Sequence, residues 1–290
     1  MTCPDPHLIP KDALEGITVG ISVSDSADLH RLGLSDRHLE LAVGEITRAV
    51  LTAGGTVMYG GRLQPSGFTQ QLMNEVQRFA TARHALTLCV ALPEHIQLDN
   101  HELQKIDASL GTAGRLITLD GDGNPIRWQE RPQPQHPLTD EQRIAAYSGL
   151  RRYMAGATTG RIVVGGQLRN YKGAMPGVIE EVLFSIESGQ PVYLAGGFGG
   201  AAAAIARRLS AGSFEWLPEA LPAGATDPQV QEALDQLATA ATNRGWTFAA
   251  DGLTPERREL LCASHRPGEI ASLAALGLAA QISADPQKTD

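Results

Sequence analysis

Short, almost wholly apolar runs alternate along the chain with longer segments whose apolar residues recur every three or four positions. A run of roughly four to eight apolar residues bounded by turn residues is typical of a strand buried on both faces, whereas the longer spacing indicates an amphipathic helix. The predicted strands cover residues 17–23, 56–59, 85–92, 115–119, 161–164 and 191–195. The predicted helices cover about 35–54, 68–80, 102–110, 139–154 and 200–209, with a further helix that begins at Pro176.

This alternation predicts right-handed βαβ units, and hence an α/β, Rossmann-like fold with a doubly wound parallel sheet. Beyond residue 210 the pattern is mainly helical, with predicted helices at 229–243, 255–263 and 267–276. We therefore expect an α/β ligand-binding domain over residues 12–210. Residues 211–290 are expected to form a C-terminal helical extension that packs on the core or at a subunit interface.

Composition and charge narrow the classes of partner. Aromatic residues make up only 5% of the chain, which argues against a stacking platform for single-stranded nucleic acid. The net charge is -8 and no Lys/Arg run occurs, so neither nucleic acid nor a membrane is an expected partner. The three widely spaced cysteines, the absence of an apolar leader and the absence of a membrane-spanning run predict a cytoplasmic protein.

The richest candidate site is the segment 164–181, which joins a predicted strand to a predicted helix. Gly165 and Gly166 follow the strand and allow the backbone to approach a ligand closely. Pro176 and Gly177 open the helix, whose first N–H groups lack partners within the helix and attract anions. This juxtaposition predicts a phosphate-binding site at the carboxyl edge of the sheet.

Charged and aromatic side chains of the same segment suggest how a nucleotide is held. Arg169 and Lys172 are candidate phosphate ligands, and Tyr171 is a candidate for stacking on a base or ribose. Glu180 and Glu181 lie in the first helical turn, and we expect Glu181 to point away from the buried face and to bind a ribose hydroxyl or to act in catalysis. The alternative is a surface loop with solvated cations, followed by acids that only favour the positive end of a helix.

Two further glycine clusters and one polar strand end belong to the same predicted edge. They add eight candidate ligand-binding residues: Ser24, Asp25, Gly60, Gly61, Arg62, Gly197, Phe198 and Gly199. Each cluster alone is also compatible with a tight turn. No paired histidine spacing, G-x-S-x-G elbow, P-loop or G-x-G-x-x-G fingerprint occurs, so we expect no metal and no required cofactor, with a nucleotide as the ligand.

These motifs resemble those of a known superfamily. The double glycine followed by residues 176–181 is similar to an expanded PGGxGTxxE signature of the LOG, or lysine decarboxylase-like, proteins, which belong to the SLOG superfamily of Rossmann-like nucleotide binders. The segments 33–39, 59–63, 67–69 and 196–200 resemble the branch described as TIR- and PNP-associating SLOG. Together the similar segments span residues 16–210, about two thirds of the chain.

The resemblance implies a sensor of a nucleotide-derived signal, related to ADP-ribose, in bacterial defence against phage or in stress. It also implies a TIR or nucleosidase effector as partner and a homo-oligomer. Two departures weaken an enzymatic reading: Val178 replaces the signature threonine, and residues 93–100 contain no arginine where LOG enzymes place a catalytic one. The leading hypothesis is a non-catalytic binding domain.

Two alternatives stay open. One is a LOG-like phosphoribohydrolase that cleaves the N-glycosidic bond of a nucleoside monophosphate, with Glu181 as acid/base. The other is an oligomeric scaffold in which the C-terminal helices dominate.

Overall fold

In the computed structural model of the chain, residues 9–61, 63, 67–131, 136–210 and 222–284 are described. These residues form one seven-stranded sheet in the order β5-β4-β3-β2-β1-β6-β7. The strands are β1 (Thr18–Ser24), β2 (Thr56–Gly60), β3 (Leu86–Val90), β4 (Gly114–Leu119), β5 (Pro125–Ile126), β6 (Gly160–Gly165) and β7 (Val192–Ala195). Neighbouring strands are parallel except β4 and β5, which are antiparallel. The predicted α/β, Rossmann-like class with a doubly wound sheet is confirmed.

The described residues contain ten α-helices, which cover both faces of the sheet. They are α1 (Asp36–Thr52), α2 (Phe68–Phe79), α3 (Leu92–His95), α4 (Asn100–Leu110), α5 (Asp140–Ala157), α6 (Gly177–Glu187), α7 (Gly200–Leu209), α8 (Pro228–Arg244), α9 (Pro255–Ala263) and α10 (Pro267–Ala284). Among them no helix has the length and apolarity needed to cross a membrane.

Two of the differences from the sequence prediction have identifiable physical reasons. The sequence predicts a third strand that reaches Leu92, but β3 ends at Val90 and Leu92 begins α3. Pro93 explains this difference, because proline cannot donate to a strand ladder but is well tolerated in the first turn of a helix. The two-residue β5 is too short for any periodicity, and it is held to β4 partly by the hydroxyl of Thr118, which donates to the Ile126 carbonyl at 2.7 Å.

The two faces of β1 differ in polarity. Val19, Ile21 and Val23 enter a hydrophobic core with residues of α1 and α10. Gly20 and Ser22 point to the opposite face, which α6 covers. A strand with one polar face is normally half exposed, but here both faces are buried, so the polar side must find its partners inside the protein.

The chain reverses its direction of winding at β1. Strands β2 to β4 follow on one side of β1, whereas β6 and β7 lie on the other, so the crevice between the ends of β1 and β6 is a topological switch point. Ser24 and Gly165 are paired in register at this edge. Ligands of open α/β sheets bind in such a crevice.

The described C-terminal residues pack on the sheet and its helices. Helix α8 packs on α6, and α10 packs on α1. The buried carboxylate of Asp28 accepts hydrogen bonds from Gly200 N–H at 2.7 Å and from Ala223 N–H at 2.9 Å, which ties residue 223 to the start of α7. The proposed boundary between 12–210 and 211–290 adjoins residues 211–221, which lie outside the described residues, and it stays a prediction.

Two glycines of α5 allow a matched test of packing. A Cβ on Gly149 would lie 2.8 Å from the backbone nitrogen of Gly123, whereas a Cβ on Gly156 would meet no atom within 4 Å. We expect Gly149→Ala to lower the free energy of unfolding by about 1–3 kcal/mol, because helix and turn must separate. Gly156→Ala should raise it by about 0.5 kcal/mol through helix propensity. Urea unfolding of both variants checks this; equal effects would contradict direct contact between the turn at 120–124 and α5.

Candidate functional site

A cavity of about 350 Å³ opens at the switch point. Its walls come from the ends of β1 and β2, the first turns of α2 and α6, helices α3 and α5, and the loop 166–176. Eight of the predicted ligand-binding residues line it: Ser24, Asp25, Gly60, Gly61, Tyr171, Lys172, Gly177 and Glu181. The structure therefore brings residues from three predicted motifs around one space.

The other predicted residues lie outside this lining, and their contact with a ligand stays a prediction. Those described are Gly165, Gly166, Arg169, Pro176, Glu180, Gly197, Phe198 and Gly199, while Arg62 lies outside the described residues. Packing accounts for several of the glycines. A Cβ on Gly166 would lie 2.7 Å from the Ala201 Cβ, and one on Gly197 would lie 2.3 Å from the Ser264 carbonyl oxygen.

The two predicted phosphate-binding cations occupy different places. Arg169 is exposed and packs beside Gly224, whose Cβ would lie 3.0 Å from the Arg169 Cγ. Lys172 lines the cavity, where its Nζ lies 2.9 Å from Glu94 Oε1. Tyr147 donates to the same Glu94 oxygen at 2.7 Å. An anion that binds Lys172 must therefore compete with a carboxylate from α3.

Hydrogen bonds hold the loop 166–176 over the cavity. Gln167 N–H donates to Ser24 Oγ at 2.9 Å, and the Tyr171 hydroxyl donates to Gln229 Oε1 at 2.7 Å. Burial, and secondarily the negative charge of Asp227, raises the pKa of Tyr171. The loop thus connects the end of β1 with α8, and Tyr171 lines the cavity while its hydroxyl is bonded to α8.

The adjacent glutamates at the start of α6 have different environments. Glu180 is only 4% exposed, accepts a hydrogen bond from Ser148 Oγ at 2.6 Å and forms an ion pair with Arg151. Glu181 lines the cavity and is expected from the sequence to point away from the buried face, but its side chain is only 15% exposed and lies over β1. That expectation is wrong because the face of β1 beneath α6 is polar and can accommodate a carboxylate.

Arg161 accounts for the position of Glu181. Its side chain is fully buried, its Nε donates to Ser185 Oγ at 2.6 Å, and its Nη1 lies 2.9 Å from Ser22 Oγ and 3.1 Å from Glu181 Oε2. Ser22 Oγ also donates to this Glu181 oxygen. Burial lowers the pKa of the Arg161 guanidinium, and the charge of Glu181 opposes that shift.

Sequence reasoning missed Arg161, although the small and polar residues that surround it are visible in the sequence. Gly20 and Ser22 interrupt an otherwise apolar strand, and Ser185 interrupts the apolar face of α6. A Cβ on Gly20 would lie 3.3 Å from the Arg161 Cζ, so the small residue makes room for the guanidinium. Small and polar positions facing one another in a sheet buried on both sides indicate a buried charged group.

Arg151, also missed, brings a guanidinium from α5 to the cavity wall. It covers the start of α6 so closely that a Cβ on Gly177 would lie 2.6 Å from its Nη2. The charged residues of the lining are Asp25, Glu94, Glu181, Arg151 and Lys172, and both cations are paired with carboxylates. An anion would therefore rely strongly on the first N–H groups of α6, which no side chain of the described residues caps.

Within the described residues no group of three or more His, Cys, Asp or Glu side chains is placed to hold a metal ion.

A matched pair of substitutions tests the structural role of Glu180. Glu180→Gln should lower the free energy of unfolding by about 2 kcal/mol, because it leaves the buried Arg151 without a carboxylate. Glu187→Gln changes an exposed residue of the same helix and should alter stability by less than about 0.5 kcal/mol. Denaturant unfolding gives both values, and equal values would show that the Arg151–Glu180 pair adds no stability.

Comparison with known proteins identifies the family. No curated protein matches the sequence. A family model described as SLOG cluster2 matches residues 13–254, which covers the sheet, the cavity and α8. This match confirms the predicted resemblance to the SLOG superfamily, whereas the closer assignment to the TIR- and PNP-associating branch stays a prediction. The chain belongs to the SLOG superfamily, in the family described as SLOG cluster2.

Proposed function

We propose that this protein binds a nucleotide-derived small molecule, such as ADP-ribose or a related signal, in the cavity at the ends of β1 and β2. The observation that carries the proposal is the meeting of four features in one space: the uncapped start of α6, Lys172, the Glu181 carboxylate and the ring of Tyr171. A cavity of about 350 Å³ is in the range of small-molecule sites.

The chemistry of the walls suggests how such a ligand lies. A phosphate fits at the start of α6, where the N–H groups of Gly177 and Val178 are near Lys172 and Arg151. The acidic groups Asp25 and Glu181 suit the hydroxyls of a ribose, since ionised carboxylates only accept hydrogen bonds. Aromatic rings on the wall offer surfaces for a base.

We infer a sensor rather than an enzyme because four of the five charged side chains that line the cavity are already held in ion pairs. Glu181 is held by Arg161 and Ser22, Lys172 by Glu94, and Arg151 by Glu180. Glycosidic cleavage needs an acid/base pair positioned around the ribose. The present arrangement supports stable recognition more directly than proton transfer.

In this proposal, ligand binding changes the protein surface through the loop 166–176. The loop 166–176 contacts the cavity through Tyr171 and Lys172, and Tyr171 is bonded to Gln229 of α8. A ligand that displaces Glu94 from Lys172 would shift this loop and, with it, the surface near α8. Our proposed partner is a TIR or nucleosidase effector in a cytoplasmic defence or stress response, with the protein acting as a homo-oligomer.

The binding proposal is tested by thermal stabilisation with ADP-ribose, its cyclic isomers, NAD and AMP. A ligand present at about 100 times its Kd should stabilise the folded state by about 2.7 kcal/mol, which raises the melting temperature by several degrees. Lys172→Ala should weaken binding about tenfold through the lost charged contact. Lys105→Ala, which changes an exposed lysine of α4, is the control. No stabilisation by any of these compounds at millimolar concentration would refute the proposal.

A second candidate is a phosphoribohydrolase, and Arg151 is the observation that favours it. Residues 93–100, which follow β3, contain no arginine, but α5 supplies a guanidinium to the same cavity. Chromatography of incubations with AMP separates the candidates. Release of adenine by the wild type and not by Glu181→Gln would establish the enzyme, whereas binding without adenine release supports the sensor.

A further inference from the structure

Arg161 has no place in the cavity lining, yet it contacts a carboxylate that does. We propose that Arg161 is a positioning residue: with Ser22 it fixes Glu181 so that the site selects ligands presenting a hydroxyl group, and rejects those that lack it. The inference rests on the proposed function for its ligand class. The pairing of Arg161 with Glu181 can be tested without any ligand.

The two oxygens of the Glu181 carboxylate are used differently. Oε2 accepts from Arg161 Nη1 and from Ser22 Oγ. Oε1 accepts no hydrogen bond from any residue in the described part of the chain. Because Glu181 lines the cavity, Oε1 is the oxygen left for a ligand. An ionised carboxylate oxygen can only accept, so the matching ligand group is a donor such as a ribose hydroxyl.

The anchor of this carboxylate is rigid. Arg161 is a residue of β6, and its guanidinium bonds Ser22 of β1 and both Glu181 and Ser185 of α6. Glu181 and Ser185 are one helical turn apart, so a single side chain ties that face of α6 to two strands. Rotation of Glu181 away from β1 would leave a fully buried guanidinium without its carboxylate, which is strongly unfavourable.

The same anchor gives the site its selectivity. A carboxylate held in place by a buried cation loses little side-chain entropy when a hydroxyl binds to it. A phosphate at this point would meet a fixed negative charge, and a dideoxy sugar would leave Oε1 desolvated without a donor. The site therefore favours an unmodified ribose near Glu181, with any phosphate at the start of α6.

The experiment compares AMP with 2′,3′-dideoxy-AMP, because AMP is the part shared by ADP-ribose and NAD. Affinities are measured by calorimetry on the full chain for the wild type, Arg161→Met, Arg161→Lys and Glu181→Gln. The wild type should bind AMP about tenfold more tightly than the dideoxy compound. Arg161→Met should abolish this ratio by weakening AMP binding alone, and Arg161→Lys should restore part of it.

A double-variant cycle separates positioning from a general structural role. If Arg161 acts through Glu181, the AMP affinity of the double variant Arg161→Met/Glu181→Gln should be no lower than that of the single variant with the lower AMP affinity. Equal weakening of both ligands by Arg161→Met, or additive losses in the cycle, would overturn the proposal.

Because the loss of a buried arginine can prevent folding, Ser22→Ala provides a second test of the same hydrogen-bond network. It removes one donor to Glu181 Oε2 and should lower the ratio of AMP to dideoxy-AMP affinity several-fold. Ser272→Ala, which changes an exposed serine bonded within α10, should leave the ratio unchanged. An unchanged ratio in a folded Ser22→Ala variant would contradict the proposed network.

A ligand-free measurement distinguishes failure of this inference from failure of the proposed function. In protein labelled with ¹⁵N-arginine, the Nε–H resonance of Arg161 is assigned by its loss in Arg161→Lys. Glu181→Gln should shift this resonance, whereas Glu187→Gln should not. If the wild type binds none of ADP-ribose, its cyclic isomers, NAD and AMP, the proposed function and the hydroxyl selection both fail. An Arg161 resonance that Glu181→Gln leaves unmoved would refute the positioning itself.

Discussion

Backbone hydrogen bonds at residue 166 join the end of β1, the end of β6 and the start of α7. Gly166 N–H donates to the Ser24 carbonyl at 3.0 Å, and the Gly166 carbonyl accepts from Ala201 N–H at 2.9 Å. Gly166 has a φ of 108°, and a side chain there would meet Ala201, so only glycine suits the position. The end of β1, where Ser24 lines the cavity, and the start of the loop 166–176 are both held by this junction.

Buried charge is the second constraint on the site. Arg161 and Arg151 lie below and beside the cavity, and each contacts a glutamate near the start of α6. Burying charged groups is costly unless they are paired and hydrogen-bonded, and serines complete both networks. These two networks fix the position of α6, whose first turn lines the cavity. They hold it against α5 on one side and against β1 and β6 on the other.

Much of the fold could be predicted from the sequence, because strands buried on both faces and amphipathic helices leave strong patterns. The glycine-rich strand ends also indicated the edge of the sheet at which the cavity opens. The roles of Glu180 and Glu181 could not be predicted, because helical spacing shows which residues share a face but not what lies beneath them. Arg161 bonds Ser22 across 139 residues of sequence, and no local pattern reports such a partner. Arg169 and Lys172 are close in sequence, yet only Lys172 reaches the cavity, since the path of an irregular loop is set by tertiary contacts.

The packing of α10 on α1 affects the order in which the protein can fold. Ala42 and Ile46 share a core with Ile270 and Leu278, which are synthesised long afterwards. Contacts between such distant segments form slowly, because a long loop must close before they stabilise anything. A nascent chain that has already formed α1 therefore exposes an apolar helix face until α10 has been made. That interval is when aggregation competes most strongly with folding, and when a chaperone would protect the chain.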